Sequence, residues 1–223
     1  MRRHRTKLAA AFLIAGLVAG GVLIASNMGF KLFHPLQEAV VGTSTAGGNM
    51  ISLPWVLPNA DPTDPFTAGD LLADINGGAC VGTPAAFVQT FNQDTNTMTT
   101  HYNGCSGTDF VLEAGVAYLV VMREGTTYRI TGTHDPSASV TFTAGGADGT
   151  NTYAPPYHSV ANDAESLLAE IPNATAVGRY DPANDSIVRY TGVVPFTTNF
   201  PIVPGEGYFV SVSADTTYVP AHY

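Results

Sequence analysis

The 223-residue chain predicts a mainly β (α+β) protein: two tandem small antiparallel β sandwich or barrel modules, each with one short helix, behind an N-terminal transmembrane or signal helix. Three observations carry this prediction. The first is an internal repeat, which fixes architecture before any motif is read. Phe110 to Tyr128 aligns without a gap on Phe200 to Tyr218 at an offset of 90 residues, with seven of the nineteen positions identical. Upstream, Gly47, Asn49, Pro54 and Trp55 are answered by Gly149, Asn151, Pro156 and Tyr157, and Leu71, Leu72 and Ile75 by Leu167, Leu168 and Ile171. The second is the spacing of apolar residues, which alternates in the repeated strands and switches to a helical period once per repeat. The third is an uncharged stretch from Leu8 to Ala25 behind Arg2, Arg3, Arg5 and Lys7.

As a helix those eighteen residues span about 27 Å, enough to enter or cross a membrane. Leu8, Phe12, Leu13, Ile14, Leu17, Val18, Val22, Leu23 and Ile24 supply the apolar surface. The basic flank keeps the N-terminus in the cytoplasm and places the chain beyond the helix outside. Residues 1–33 are therefore read as membrane anchor or signal helix, with a secreted product if it is cleaved. Residues 34–46 are read as a small-residue linker, 47–148 as the first module and 149–223 as the second.

Each module opens on an apolar strand that ends at a proline, Met50 to Trp55 or Thr152 to Tyr157, because proline cannot donate to a ladder. A short helix comes next, capped by Thr67 in the first copy and by Asn162 or Asp163 in the second. Two hairpins are then expected. Phe87 to Phe91 turns through Asn92–Asn96 into Thr97 to Tyr102, and Ala176 to Tyr180 turns through Asp181–Asp185 into Ser186 to Tyr190. Pro204-Gly205 suits the centre of a type II turn, whose second position needs positive φ. Beyond it Tyr208, Val210 and Val212 share one strand face, and Phe209, Ser211 and Ser213 the other. Ser139 to Thr143 predicts one more strand, belonging to the first module or bridging the two.

The order Asn-x-Ile-Ser-Leu-Pro (Asn49 to Pro54), a Leu-Leu-x-x-Ile helix, a Tyr-Asp turn (Tyr180, Asp181) and Pro-Gly-x-Gly-Tyr-Phe-Val (Pro204 to Val210) resembles a recurring β module. That module occurs in secreted and surface-attached bacterial and archaeal proteins. The resemblance covers most of residues 47 to 223 and implies location and architecture, with no functional residues to carry over. The second copy departs from it at Tyr153-Ala-Pro-Pro, and the first at Glu113-Ala-Gly-Val-Ala.

Charge narrows the partners. Beyond Lys31 four arginines face all 18 acids, a net of −14, which repels phosphate backbones and argues against nucleic acid. Cys80 and Cys105 occur only in the first copy and are expected to form a disulfide, worth roughly 3 kcal/mol for a loop of this length. The nearest Ser-containing turns lack the nucleophile elbow, and the histidines show no metal-cage spacing. No cofactor is expected; calcium is the one ion the sequence raises. Asn92, Asp94 and Asn96, with Asp181 and Asp185 in the equivalent turn, offer hard oxygen ligands, but without the glycine and distal glutamate of an EF-hand. Ordinary hairpin turns explain these residues better.

The expected function is that of a non-catalytic extracytoplasmic structural or interaction protein, membrane-tethered, serving other membrane or envelope proteins or further copies of itself. Trp55, Asp61, Asp64 and Phe66, in or beside the Asp/Pro insertion of the first copy, are the candidate contact residues. Two alternatives stay open: a carbohydrate-binding or adhesion module using the many tyrosines, and a hydrolase whose carboxylate pair only the fold would reveal.

Overall fold

The computed structural model describes residues 30–38, 48–56, 63–133, 135, 137–145, 147–193 and 198–221. The fold is mainly β, with antiparallel sheets and two short α-helices among the described residues. The first half contains β1 (Phe30–Leu36), β2 (Gly48–Ser52), α1 (Ala68–Ile75), β3 (Ala85–Asn92), β4 (Thr97–Tyr102), β5 (Ser106–Gly107), β6 (Ala117–Met122) and β7 (Thr126–Gly132). The second contains β8 (Val140–Phe142), β9 (Thr150–Tyr153), α2 (Ala164–Glu170), β10 (Ala174–Asp181), β11 (Ser186–Tyr190), β12 (Tyr208–Val212) and β13 (Thr216–Tyr218).

Strand order repeats as the sequence does. The first sheet runs β2-β6-β3-β4-β5 and the second, in matching order, β9-β12-β10-β11. Each half adds a two-stranded ribbon, β1 with β7 and β8 with β13. Both predicted hairpins form, and Asn96 and Asp185 close their turns with φ of 52° and 47°, a left-handed conformation that Asn and Asp tolerate. Thr67 caps α1 through a capping box with Asp70, and Asp163 caps α2 through one with Ser166. The Pro204-Gly205 turn has the expected bond from the Glu206 N–H to the Val203 carbonyl (3.1 Å), with Gly205 at φ 91°.

Two strands differ from the sequence reading. Phe30 to Leu36, assigned by sequence to the end of the anchor and the start of the linker, forms β1 and pairs along its whole length with β7. Leu36 is 2 % exposed and belongs to the first core, so burial, not tethering, decides its conformation. The strand at Val140 pairs with β13 and so serves the second half, not the first or a bridge. The remaining anchor residues, Leu8, Phe12, Leu13, Ile14, Leu17, Val18, Val22, Leu23 and Ile24, lie outside the described residues. Among the described residues no helix is long and apolar enough to cross a membrane.

An asparagine locks each ribbon to its sheet. Asn49 Oδ1 accepts from the Gln37 N–H (2.8 Å), while its Nδ2 donates to the Gln37 carbonyl (3.0 Å) and the Val120 carbonyl (3.3 Å). Asn151 does the same with Thr143 (3.0 and 3.1 Å) and the Val210 carbonyl (3.4 Å). Buried backbone groups where ribbon meets sheet are thereby satisfied.

The halves pack through the second faces of their sheets. Met50, Ala117, Leu119, Val121 and Ala154 form a buried cluster joined by Phe87, Tyr180 and Phe209. Hence Tyr208, Val210 and Val212 face the second core, as alternation predicts, while Phe209 and Ser211 are covered rather than exposed. The backbone contacts are reciprocal. The Ser52 N–H donates to the Gly205 carbonyl and the Ala154 N–H to the Gly115 carbonyl, both at 2.8 Å, and these are equivalent positions of the two repeats. Glycine is needed at both turns: a Cβ on Gly115 would sit 2.3 Å from Val140 Cγ2, and one on Gly205 2.4 Å from Leu32 Cδ2.

Candidate functional site

The paired residues build the frame. Tyr118 and Tyr208 stack on Phe110 and Phe200, and their hydroxyls accept from the Glu113 and Val203 N–H groups at 2.6 and 2.7 Å. Tyr128 and Tyr218 donate to Asp74 (2.7 Å) and Glu170 (2.6 Å), fastening each ribbon to its helix. Burial pushes the phenol pKa of all four far above the usual value, and the acceptor carboxylates of Tyr128 and Tyr218 add to the rise. These rings are core, and none of the four presents a stacking surface for sugar. The Gly69 N–H at the start of α1 donates to Asp109 (2.9 Å), as the Glu165 N–H does to Asn199 (3.1 Å).

The turn oxygens considered for calcium are engaged locally. Asn92 accepts from the Thr95 N–H (3.1 Å), and Asp181 from the Ala183 N–H (3.0 Å) and the Asn184 side chain (2.7 Å). Those bonds, the Asn184 side chain first, hold the Asp181 carboxyl below its ordinary pKa. Asp185 accepts from the Tyr180 hydroxyl (2.7 Å). Asp94 and Asn96 lie in the other turn, at the tip of the β3–β4 hairpin. Among the described residues no three His, Cys, Asp or Glu side chains cluster as a metal site would require.

What the repeats do not share lies mostly in the first half. Cys80 and Cys105 are bonded, tying the loop after α1 to the turn between β4 and β5. Trp55, read as a contact residue, is instead 8 % exposed and inserted into the second core, its indole N–H donating to the Ala154 carbonyl (2.9 Å). Aromatic size and a buried acceptor across the boundary explain the correction. Asp61 lies outside the described residues. Asp64 and Phe66 stand where the insertion returns to α1 and line a groove.

That groove measures about 870 Å3. Asp64, Phe66, Asp70 and Asp74 form one side, Thr126 to Thr131 of β7 the other, with Leu53 and Ile75 also contributing. The three carboxylates face a single cation, Arg129, among the lining residues. Sequence reading singled out Asp64 and Phe66 as contact candidates but not the opposite wall, because β7 lies more than fifty residues downstream and its pairing is long-range. A second hollow of about 510 Å3 opens between the sheets and is more apolar, with Phe91, Met98, Ile187 and Phe209 around it. Comparisons with models of protein families, with curated proteins and with solved structures find no match to this chain.

Proposed function

We propose that this is a non-catalytic, extracytoplasmic interaction protein built from two tandem copies of one small β module, tethered by its N-terminal helix and serving as a scaffold or accessory subunit of an envelope or membrane-protein assembly. The observation that carries this reading is the allocation of polar groups. The tyrosines, helix-capping acids and asparagines that recur in both copies hydrogen-bond within the frame, which supports a structural role for what the two copies share. The Cys80–Cys105 disulfide supports an oxidising compartment. The −14 charge beyond Lys31 favours proteinaceous partners over nucleic acid. The resemblance to surface-attached modules agrees with this location.

Purification from native membranes in mild detergent tests the reading. A stoichiometric partner or an ordered oligomer is the expected result; a lone monomer at every detergent concentration overturns it. Intact mass of the native protein decides the tether, since retention of Met1 to Ala25 is expected and its loss replaces anchoring with secretion.

A further inference from the structure

Beside the buried cluster between the two sheets lies the hollow of about 510 Å3, which shares Met50, Ala117 and Leu119 with it. Strand register shows that the two copies build this hollow from equivalent rows. Met50, Leu119, Gln89 and Thr100 stand side by side in the first sheet, and Thr152, Phe209, Gly178 and Arg189 in the second. Nearer the hairpin tips the pair Phe91 and Met98 is answered by Tyr180 and Ile187. Met98 and Ile187 are 45 % and 40 % exposed, so the apolar lining reaches solvent. No residue bordering an undescribed stretch of chain lines it.

The equivalent rows differ in their polar members. In the first copy Gln89 donates to Thr100 (2.9 Å) and the pair satisfies itself. The second copy has Gly178 and Arg189 at these positions. A Cβ on Gly178 would sit 2.9 Å from Ile187 Cγ2 and 3.3 Å from Phe209 Cβ, so a bare residue there lets its neighbours close over it. Arg189 is exposed, lines the hollow, and has no ion pair or hydrogen bond among the described residues. Asp185, the other charged residue of the lining, stands four positions back along the chain, about 13 Å in an extended strand, and accepts from the Tyr180 hydroxyl. The hollow thus joins apolar walls to a single uncommitted cation.

We propose that this hollow binds a small anionic amphiphile, its apolar body held between the sheets and its carboxylate on Arg189. The volume lies within the range of small-molecule sites, about 300–1,000 Å3, which combine a mostly apolar lining with a few placed polar groups. A planar guanidinium offers a carboxylate two parallel N–H donors. The net charge of −14 beyond Lys31 repels anions in general, so burial of the apolar body supplies the affinity and Arg189 the orientation. A cationic headgroup meets the guanidinium and is repelled. The site goes beyond the scaffold role and does not depend on it.

The test photolabels the full chain in phosphatidylcholine nanodiscs with a dodecanoic acid that carries a diazirine at its far end, followed by peptide mass spectrometry. Labelling that unlabelled dodecanoate displaces is expected in β3–β4 and β10–β11, and the methyl ester should not displace it. Arg189→Gln should weaken that displacement about tenfold, and Arg189→Lys should keep part of it. Ile187→Glu, at a rim position, should abolish the displaceable labelling. Displaceable labelling found only outside these strands, equal displacement by acid and ester, or unchanged behaviour of R189Q or I187E each overturns the proposal. Labelling that only anionic lipid in the disc displaces assigns the hollow to the bilayer, and a co-purifying native partner that blocks it assigns the hollow to protein contact; either outcome overturns the free ligand. A lone monomer in the native preparation removes the scaffold role and leaves the labelling as it is.

Discussion

Single hydroxyls and rings hold long-range contacts in this fold. Tyr128 and Tyr218 each reach a helix carboxylate from a separate ribbon, so removing one hydroxyl leaves that carboxylate short of a donor. Tyr128→Phe and Tyr218→Phe should each cost about 1 kcal/mol in urea denaturation, and comparable losses would show that the two copies use the bond alike. His34 makes a second prediction, through pH. It is 9 % exposed beneath Gly205, and burial lowers its pKa from 6.5, opposed by Glu206; Arg179 and Asp181 border the same hollow. Below about pH 6.5 the unfolded chain therefore binds more protons at this site than the folded one, and stability falls as pH drops. Thermal melting between about pH 7.5 and 5.5 should show that decline, and His34→Gln should flatten part of it.

Elements whose signals are local were legible in the sequence, and those that depend on distant partners were not. Thr67 and Asp163 announce their helices by side-chain chemistry three residues from the N–H they accept. The turns at Asn92–Asn96 and Asp181–Asp185 announce hairpins in the same way. β1 gave no such sign, because Phe30-Lys-Leu-Phe directly continues an apolar run and its partner lies some hundred residues away. Nor does β8 resemble β1 in sequence; only their equivalent placement against β13 and β7 relates them. The asparagine that joins each ribbon to its sheet gives the matching prediction. Asn49→Ala and Asn151→Ala should each cost about 2–3 kcal/mol, measured by denaturant unfolding, since at least three bonds are lost in each and buried backbone groups are stranded. The candidate groove divides along the same line: Asp64 and Phe66 on one wall were singled out from the sequence, and the strand wall was not.

At the scale of the molecule, the repeats are not independent beads. Trp55, the sole tryptophan, belongs by sequence to the first half and by packing to the core of the second. Trp55→Ala should cost about 3–5 kcal/mol, the range for removing a buried aromatic ring. In the unmodified protein, tryptophan fluorescence and far-ultraviolet circular dichroism should report one coincident transition; two separated transitions would show that the halves unfold on their own.

The paired bonds from Ser52 to Gly205 and from Ala154 to Gly115 have a geometric consequence for assembly. A contact in which each side offers the other the same patch is saturated once two patches meet, and it cannot propagate. Here both patches belong to one chain, so that surface is already spent. Growth into fibres, rings or mixed complexes has to begin from outer strands and loops, where the two copies differ most.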